Sequence, residues 1–503
     1  MRRKVALLLG SLLITATGCV SGIMPLGSVI TKQQVLPNTP AAQQLNQWLI
    51  AYNAANLESL TAFAASHFTS DALSRRPATD RARSDRWLFL NLGSMAVRGV
   101  ESATDTSIKA IVWQDLVESW GHVTLEVEPT VPFRIKSRSV DFLEPGPAHV
   151  AGKLDDEQIT ADVRRFITKL ANAGVFSGVV MLNHNGKAVV AESIGYASRD
   201  PDIPNTVETR FELASVSKMF TAVAIAQLVE QGRLSYEDTI AKLLPDYPNQ
   251  AAARRLTVHH LLTHTSGIPE YLFRDAYRAE RSRVRSPKDY WPFFANDSLE
   301  FAPGSQWSYS TSNYVLLGAI IERASGQSFY EYRKRHIFDV AGMTSTDGDG
   351  TGPVATPFTR FGPNRVPDLE RYRPVLEAPD RRGSPGGGGV STAGDLQRFI
   401  DALLSHKLLS ATALHVATAP RVKAEEGEWS YGFESHDWNG VRFFGHNGFA
   451  GGAFSQVDVF PESGYSVVVL SNVDMSGAGA VAYHLRLLLT QSPGPNTKIP
   501  LTR

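Results

Sequence analysis

The chain has 503 residues, 43% of them hydrophobic and 20% charged, with 50 basic and 50 acidic side chains. Zero formal net charge excludes the basic surface of a nucleic-acid binder, so no nucleic-acid partner is expected. The length accommodates two or three domains, and the lone cysteine, Cys19, excludes an internal disulfide.

Met1-Arg2-Arg3-Lys4 is a basic start, and Val5 to Ile14 is an apolar run of signal-peptide length, too short for a comfortable membrane span. Small residues then lead to Cys19. The pattern resembles a bacterial lipoprotein signal, although Ala16 stands where Leu is usual. The resemblance implies a signal peptide over 1–18, lipidation of Cys19 and a tether over 19–39. The expected location is therefore exported and membrane-anchored, on the periplasmic or extracellular side, with the membrane engaged through the lipid.

Residues 40–140 are expected to form a small α+β domain. Leu45, Trp48, Leu49, Tyr52 and Leu60 recur at helical spacing and predict one opening amphipathic helix. Ile108 to Val117 and Val123 to Glu128 read as strands, and Pro129 and Pro132 are expected to end the pairing. Helices followed by strands give an α+β unit that resembles the cone-shaped NTF2-like folds. Asp115, Glu118, His67 and His122 fit solvated strand and loop positions, and this unit is assigned no chemistry.

Asp141 to Gly152, with Glu144-Pro145-Gly146-Pro147, reads as a linker. Beyond it, residues 154–492 are expected to fold as a unit of their own, so that a chain beginning near Leu154 would keep its site. Ile159, Val163, Phe166, Ile167 and Leu170 predict an amphipathic helix, and Asn185-Gly186 between two apolar runs predicts a hairpin. Ser235-Tyr236-Glu237-Asp238 has the form of a capping box opening another helix. Ala453 to Phe460 and Tyr465 to Leu470 predict strands around a Pro461–Gly464 turn, with a closing helix from Ala478 to Leu489. Strands early and late with helices between predict an antiparallel sheet flanked by terminal helices plus a helical region, an α+β class.

The chemistry centres on Phe211 to Phe220, Phe-Glu-Leu-Ala-Ser-Val-Ser-Lys-Met-Phe. From Lys218 to Gln231 the sequence is almost unbroken in apolarity and predicts a buried helix stopped by Gly232. Ser215 and Lys218, at i and i+3, put a hydroxyl and an amine on one face at its start. A poorly hydrated lysine loses proton affinity and can serve as a base at neutral pH. The helix start adds an N–H and a positive dipole for an oxyanion.

Two further clusters, Tyr309-Ser310-Thr311 before the apolar helix Tyr314 to Ala324 and His446-Asn447-Gly448 before the late strands, complete a pattern. With Ser215-Val216-Ser217-Lys218 they resemble the three motifs of the penicillin-recognising serine hydrolases. The branch is that of class C β-lactamases, D-alanyl-D-alanine peptidases and related esterases. Leu261 to Gly267 and Gly386 to Leu396 agree in order. The resemblance spans roughly 155 to 490 and rests on three ordered motifs.

That resemblance implies a β-lactamase/transpeptidase-like fold and a serine hydrolase working through an acyl-enzyme, without a cofactor, on a small-molecule or peptide substrate. Ser215 is the implied nucleophile, Lys218 and Tyr309 share its proton, and the N–H groups of Ser215 and Phe449 form the oxyanion hole. Tyr309 is expected to titrate low beside a cationic lysine. His446, Asn447, Gly448 and Thr311 are the implied substrate contacts. Thr311 stands where the β-lactamases carry Asn, with Asn313 two residues on, and His446 stands where they carry Lys. Neutral imidazole is the poorer partner for a substrate carboxylate. Both changes favour an esterase or amidase, with a true β-lactamase or D-Ala-D-Ala carboxypeptidase as the alternative, and a non-catalytic binding relative as the other class. His260 and His264 have zinc-pair spacing, but Thr265-Ser266-Gly267 breaks the helix, so no metal is expected. Ser266 is expected to be structural.

Overall fold

The structure is a computed structural model and describes residues 35–142, 154–347, 353–362, 366–375, 381–425 and 427–490. Cys19, the signal-like segment, most of the tether and the linker beyond Phe142 lie outside the described residues.

The first unit opens with four helices, α1 (Pro40–Ala54), α2 (Leu57–His67), α3 (Ser70–Arg75) and α4 (Ala78–Leu92). Strands β1 (Met95–Ala103), β2 (Ser107–Gln114), β3 (Ser119–Val127) and β4 (Ile135–Phe142) follow as an antiparallel sheet in that order. The single helix expected from Leu45 to Leu60 is two. Ala55 turns left-handed at φ 54°, and Asn56 caps α2 by accepting the Ser59 N–H at 3.0 Å. Pro129 and Pro132 end β3 but not the sheet, because β4 pairs back onto β3 from Ile135. Residues without an N–H are placed in the turn, where none is needed.

In the second unit α5 (Asp156–Asn172) buries all five apolar residues of its expected face. It precedes the hairpin of β5 (Gly178–His184) and β6 (Lys187–Ile194), where Asn185 and Gly186 both take positive φ, as a two-residue loop demands. These two strands are one edge of an eight-stranded antiparallel sheet. From the other edge it runs Val422–Lys423, Glu428–Trp429, Glu434–Trp438, Val441–Ala450, Ala453–Phe460, Tyr465–Ser471, β5, β6.

Alternation along the strands divides the sheet between two cores. Val179, Val457, Val468 and Leu470 face the helical region with α6 (Lys218–Glu230) and the helix Thr311–Ser325. Val180, Leu182, Val467 and Val469 face α5 and the closing helix Met475–Leu489. The expected capping box at Ser235 closes a turn instead. Asp238 accepts the Ser235 N–H at 3.0 Å, but the next helix is the short Ile240–Leu243, capped by Thr239.

The core over α5 and the closing helix does not stop at residue 154. Trp48, Tyr52, Val112 and Val123 of the first unit join Phe166, Leu170, Tyr483 and Leu487 in one apolar cluster. At the seam Glu118, 8% exposed, accepts both Arg165 terminal nitrogens at 2.7 Å and Lys169 Nζ at 2.8 Å. The two stretches are separate in sequence and continuous in packing.

Candidate active site

The site begins at a bend. Phe211–Glu212 pairs with Val390–Ser391, and Ala214, at φ 46°, turns the chain into a short 3-10 turn, Ala214–Ser217. A non-glycine residue held left-handed beside a reactive hydroxyl is the kind of strain that functional sites keep. The turn runs straight into α6, whose residues Lys218 to Leu228 are all buried, which explains their unbroken apolarity. Ser215 caps nothing, since neither helical segment has a side-chain cap bond. Its Oγ lies 3.1 Å from Lys218 Nζ and accepts the Tyr309 hydroxyl at 2.8 Å.

Lys218 is fully buried. Its Nζ sits 4.8 Å from the Tyr309 ring centre and 5.5 Å from that of Tyr314, and it donates to the Gly386 carbonyl. That carbonyl belongs to the glycine run, which clasps the start of α6. Ser217 Oγ donates to Gly388 O at 2.6 Å, Thr221 Oγ1 to Pro385 O at 2.8 Å, and Leu213 N–H to Gly389 O at 2.9 Å. A Cβ at Gly387 would stand 3.3 Å from the Ala214 carbonyl oxygen, so the run comes against the Ser215 turn backbone to backbone.

Burial brings the Lys218 ammonium down to about 7, with the nearby Glu270 carboxylate opposing. Near neutral pH the amine is therefore free to take the Ser215 proton. Tyr309 departs from expectation. Burial drives its hydroxyl above the ordinary value, only partly offset by the Ser215 hydrogen bond, while Glu434 and Glu270 raise it further. A lysine that has lost its charge cannot lower its neighbour, so Tyr309 is a donor in the resting site.

His446, Asn447 and Gly448 lie in the strand Val441–Ala450, which passes beside the Ser215 turn. His446 is buried, edge-on to Trp429, with Nδ1 at 3.7 Å from Glu434. Burial lowers its imidazole to about 4 against the pull of Glu434, so it is neutral at pH 7. Asn447 and Phe449 are exposed, and strand alternation puts their side chains on the face opposite His446 and Gly448. Thr311 is only 6% exposed, and its methyl group meets the space in front of Gly386. The structure thus brings Ser215, Lys218, Tyr309, Gly448 and His446 together, with Thr311 packed on Gly386 and Asn447 on the exposed side of its strand.

Asn313 is wholly buried and accepts the Ser266 hydroxyl at 2.6 Å, while Ser266 accepts the Ile268 N–H at 3.0 Å. Ser266 is committed to its turn. His260 closes the cap of Val258–Leu262, and His264 stacks on Tyr309 at 4.3 Å and accepts the Ser310 N–H at 3.1 Å. The two imidazoles do separate structural work, and no metal-holding group of three or more ligands occurs among the described residues.

Three contributors were missed in the sequence. Glu270 lies three residues past Gly267, Glu434 sits in a five-residue strand, and Trp429 packs edge-on to His264 and Tyr309. Only Glu270 had a signal, its place just after the Leu261–Gly267 stretch.

A model of the Beta-lactamase family matches residues 163–491, beginning beyond the first unit. A penicillin-binding protein of Bacillus subtilis (strain 168) is 34% identical over 272 residues, 51% of this chain and 59% of that relative. The chain therefore spans less than two thirds of that relative's length. The crystal structure of a penicillin binding protein from Bacillus halodurans has a TM-score of 0.56 at 29% identity, covering 67% of this chain and 100% of that one. A D-stereospecific amidohydrolase from Streptomyces sp. shares the fold, with a TM-score of 0.54 at 24% identity over 64% of this chain and 97% of that one.

Proposed function

The chain belongs to the Beta-lactamase family, whose members are serine hydrolases, and on that premise we propose that it cleaves an ester or amide through an acyl-enzyme on Ser215. The observation that carries the reading is one hydroxyl held between a depressed lysine and a protonated tyrosine. Neutral Lys218 takes the Ser215 proton as Oγ attacks the carbonyl carbon. The oxyanion that forms meets the N–H groups of Ser215 and Phe449. Collapse breaks the bond to the leaving alcohol or amine, which takes a proton from Tyr309, and Tyr309 recovers one from Lys218. Water then attacks the ester carbon, giving its proton to the Tyr309–Lys218 pair, and Ser215 leaves protonated with the acid released.

Selectivity follows from charge. His446 is buried and neutral, so the position that would read a substrate carboxylate offers no cation. This supports an esterase or amidase over a true β-lactamase or D-Ala-D-Ala carboxypeptidase. The second reading is favoured by the likeness to penicillin-binding proteins.

Export and lipid anchoring at Cys19 belong to the same proposal, on the strength of the signal-like start. Among the described residues no helix is long and apolar enough to cross a membrane. Reaction with a fluorophosphonate and with labelled penicillin, followed by mass spectrometry, tests the chemistry. The expected adduct is on Ser215 with the fluorophosphonate, and its absence from Ser215 overturns the reading.

A further inference from the structure

Between Leu272 and Arg285 the chain turns apolar side chains and arginines outward together. The segment is pinned from below. Tyr277 packs edge-on to the buried Tyr271 at 4.7 Å and to Phe293 at 5.5 Å, and Tyr277 and Val284 both rest on the core of the helical region. These contacts hold the short helix Asp275–Glu280 and the turn Arg281–Arg283 against the body, yet neither piece buries a residue. Leu272 is 39% exposed and Phe273 67%. Adjacent large apolar side chains left in water are the mark of a contact surface.

The charge beside them is one-sided. Residues 272–285 carry five arginines against two acids, Asp275 and Glu280. Arg274 is turned inward, onto the Phe293 carbonyl and Asp297, and the other four are exposed. Arg278 meets Asp275 only at 3.5 Å and Arg283 meets Glu280 at 3.8 Å, with the arginine side chains 55% and 81% exposed. Pairs that open to water hold little, and both guanidinium groups can exchange them for another anion.

A dissolved polyanion would answer the arginines and leave Leu272 and Phe273 in water. An anionic lipid surface answers both, with phosphates for the guanidinium groups and a headgroup boundary for the apolar pair. Cys19 and the first described residue, Val35, are 16 residues apart. That length spans at most about 55 Å when extended, so a lipid on Cys19 would keep the body at the membrane.

We propose that the segment Leu272–Arg285 docks on an anionic lipid surface, with Leu272 and Phe273 entering the headgroup layer and Arg278 and Arg283 meeting its phosphates. The Leu272 N–H donates to the Glu270 carboxylate, which also holds the Thr311 N–H, two residues from Tyr309. Docking therefore sets the serine site at the surface rather than on a freely turning tether.

The test uses a chain beginning at Val20, which keeps every described residue but has neither the signal-like start nor Cys19. Cosedimentation with mixed phosphatidylcholine and phosphatidylglycerol vesicles is compared with phosphatidylcholine alone at low salt. Binding to the anionic vesicles is expected to exceed the neutral ones by about tenfold or more, and to weaken as salt shortens the screening length. Arg278→Gln and Arg283→Gln should each weaken it about fivefold, and Phe273→Ser about tenfold. Thermal unfolding should not move, since all three side chains face solvent. Binding to neither vesicle, or equally to both, overturns the inference without any variant. Binding that survives the three substitutions combined overturns it too. Equal affinity for soluble inorganic polyphosphate, untouched by Phe273→Ser, would assign the arginines to a dissolved polyanion and overturn it as well. None of these readouts needs turnover at Ser215, so the acyl-enzyme reading stands or falls separately.

Discussion

Gly448 passes so close to Ser215 that a Cβ on Gly448 would stand 3.0 Å from the Ser215 amide nitrogen and press on the Leu213 carbonyl. The third motif is thus pinned to the first by main chain alone. Gly448→Ala must push the strand away from the Ser215 turn. The expected cost is about 1–3 kcal/mol in stability, as for other overpacked positions. The expected fall in kcat/KM is on the order of 100-fold, since a shift near 1 Å suffices for that. Chemical denaturation and ester hydrolysis together check it; unaltered activity would mean the strand does not frame the reacting carbonyl.

Ser215→Ala should abolish turnover and covalent labelling, with a fall on the order of 10³-fold or more. Because Ser215 caps no helix, the change in stability should stay within about 1 kcal/mol, the worth of its hydrogen bonds. Lys218→Ala and Tyr309→Phe should be nearly as severe, and combining them should add little, since the three groups act as a unit. Full hydrolysis by purified Ser215→Ala would sink the assignment.

The pH dependence has a definite sign. The folded Lys218 titrates at about 7 and the unfolded one at 10.5. Between those values the unfolded chain holds a proton that the folded chain lacks, so this site makes folding more favourable as pH rises. The gain is at most about 1.4 kcal/mol per pH unit. Activity should instead rise as the pH passes through about 7, where the amine becomes free, and level off above it, leaving an acidic limb in kcat/KM. Lys218→Met should flatten the stability term; a slope unchanged by that substitution would assign it to another group.

Position 446 tests the reading of substrate charge. A lysine introduced there finds the Glu434 carboxylate 3.7 Å from the present imidazole, so it has a partner inside the protein. His446→Lys should still raise the ratio of carboxylate-bearing β-lactam to neutral ester hydrolysis, by about tenfold if the ammonium reaches the substrate. An equal change for both substrates would show that 446 does not face the carboxylate.

A chain beginning at Leu154 should now be unstable, contrary to what the linker alone suggests. Removing the first unit strips cover from Phe166, Leu170, Tyr483 and Leu487 and leaves Arg165 and Lys169 without Glu118. The expected loss is on the order of 5 kcal/mol from apolar exposure alone, a large part of a typical domain's stability. Thermal unfolding with a dye that binds exposed apolar surface is the measurement. Cooperative unfolding at the full-length temperature would show that the seam contributes nothing.

Local signals carried most of what was legible. Asn185-Gly186 fixed a hairpin because two residues must take positive φ, and the i, i+3 pair of Ser215 and Lys218 is a matter of one turn. What the letters do not express is packing. Thr311 occupies the right place in its motif, yet a neighbouring carboxylate holds its N–H and the glycine run covers its methyl group. Asn447 and His446 are adjacent in sequence and therefore opposite in a strand, which a motif written as letters does not express. Glu118 read as a surface acid because its partners lie 47 and 51 residues away. Tyr309 was misjudged for a related reason: its titration depends on burial by segments distant in the chain.

The acceptor that Lys218 finds in the glycine run is a carbonyl, an atom that every amino acid possesses. No point mutation can delete it. What mutation can change at Gly386 is bulk, and a Cβ there would run into Thr311. Selection on this run therefore acts against volume rather than for a functional group. A laboratory search for variants with altered lysine basicity would find few useful changes inside it. Such a search should be directed at the side chains that act on the amine, the Tyr314 ring 5.5 Å away and the Glu270 carboxylate that opposes its depression first among them.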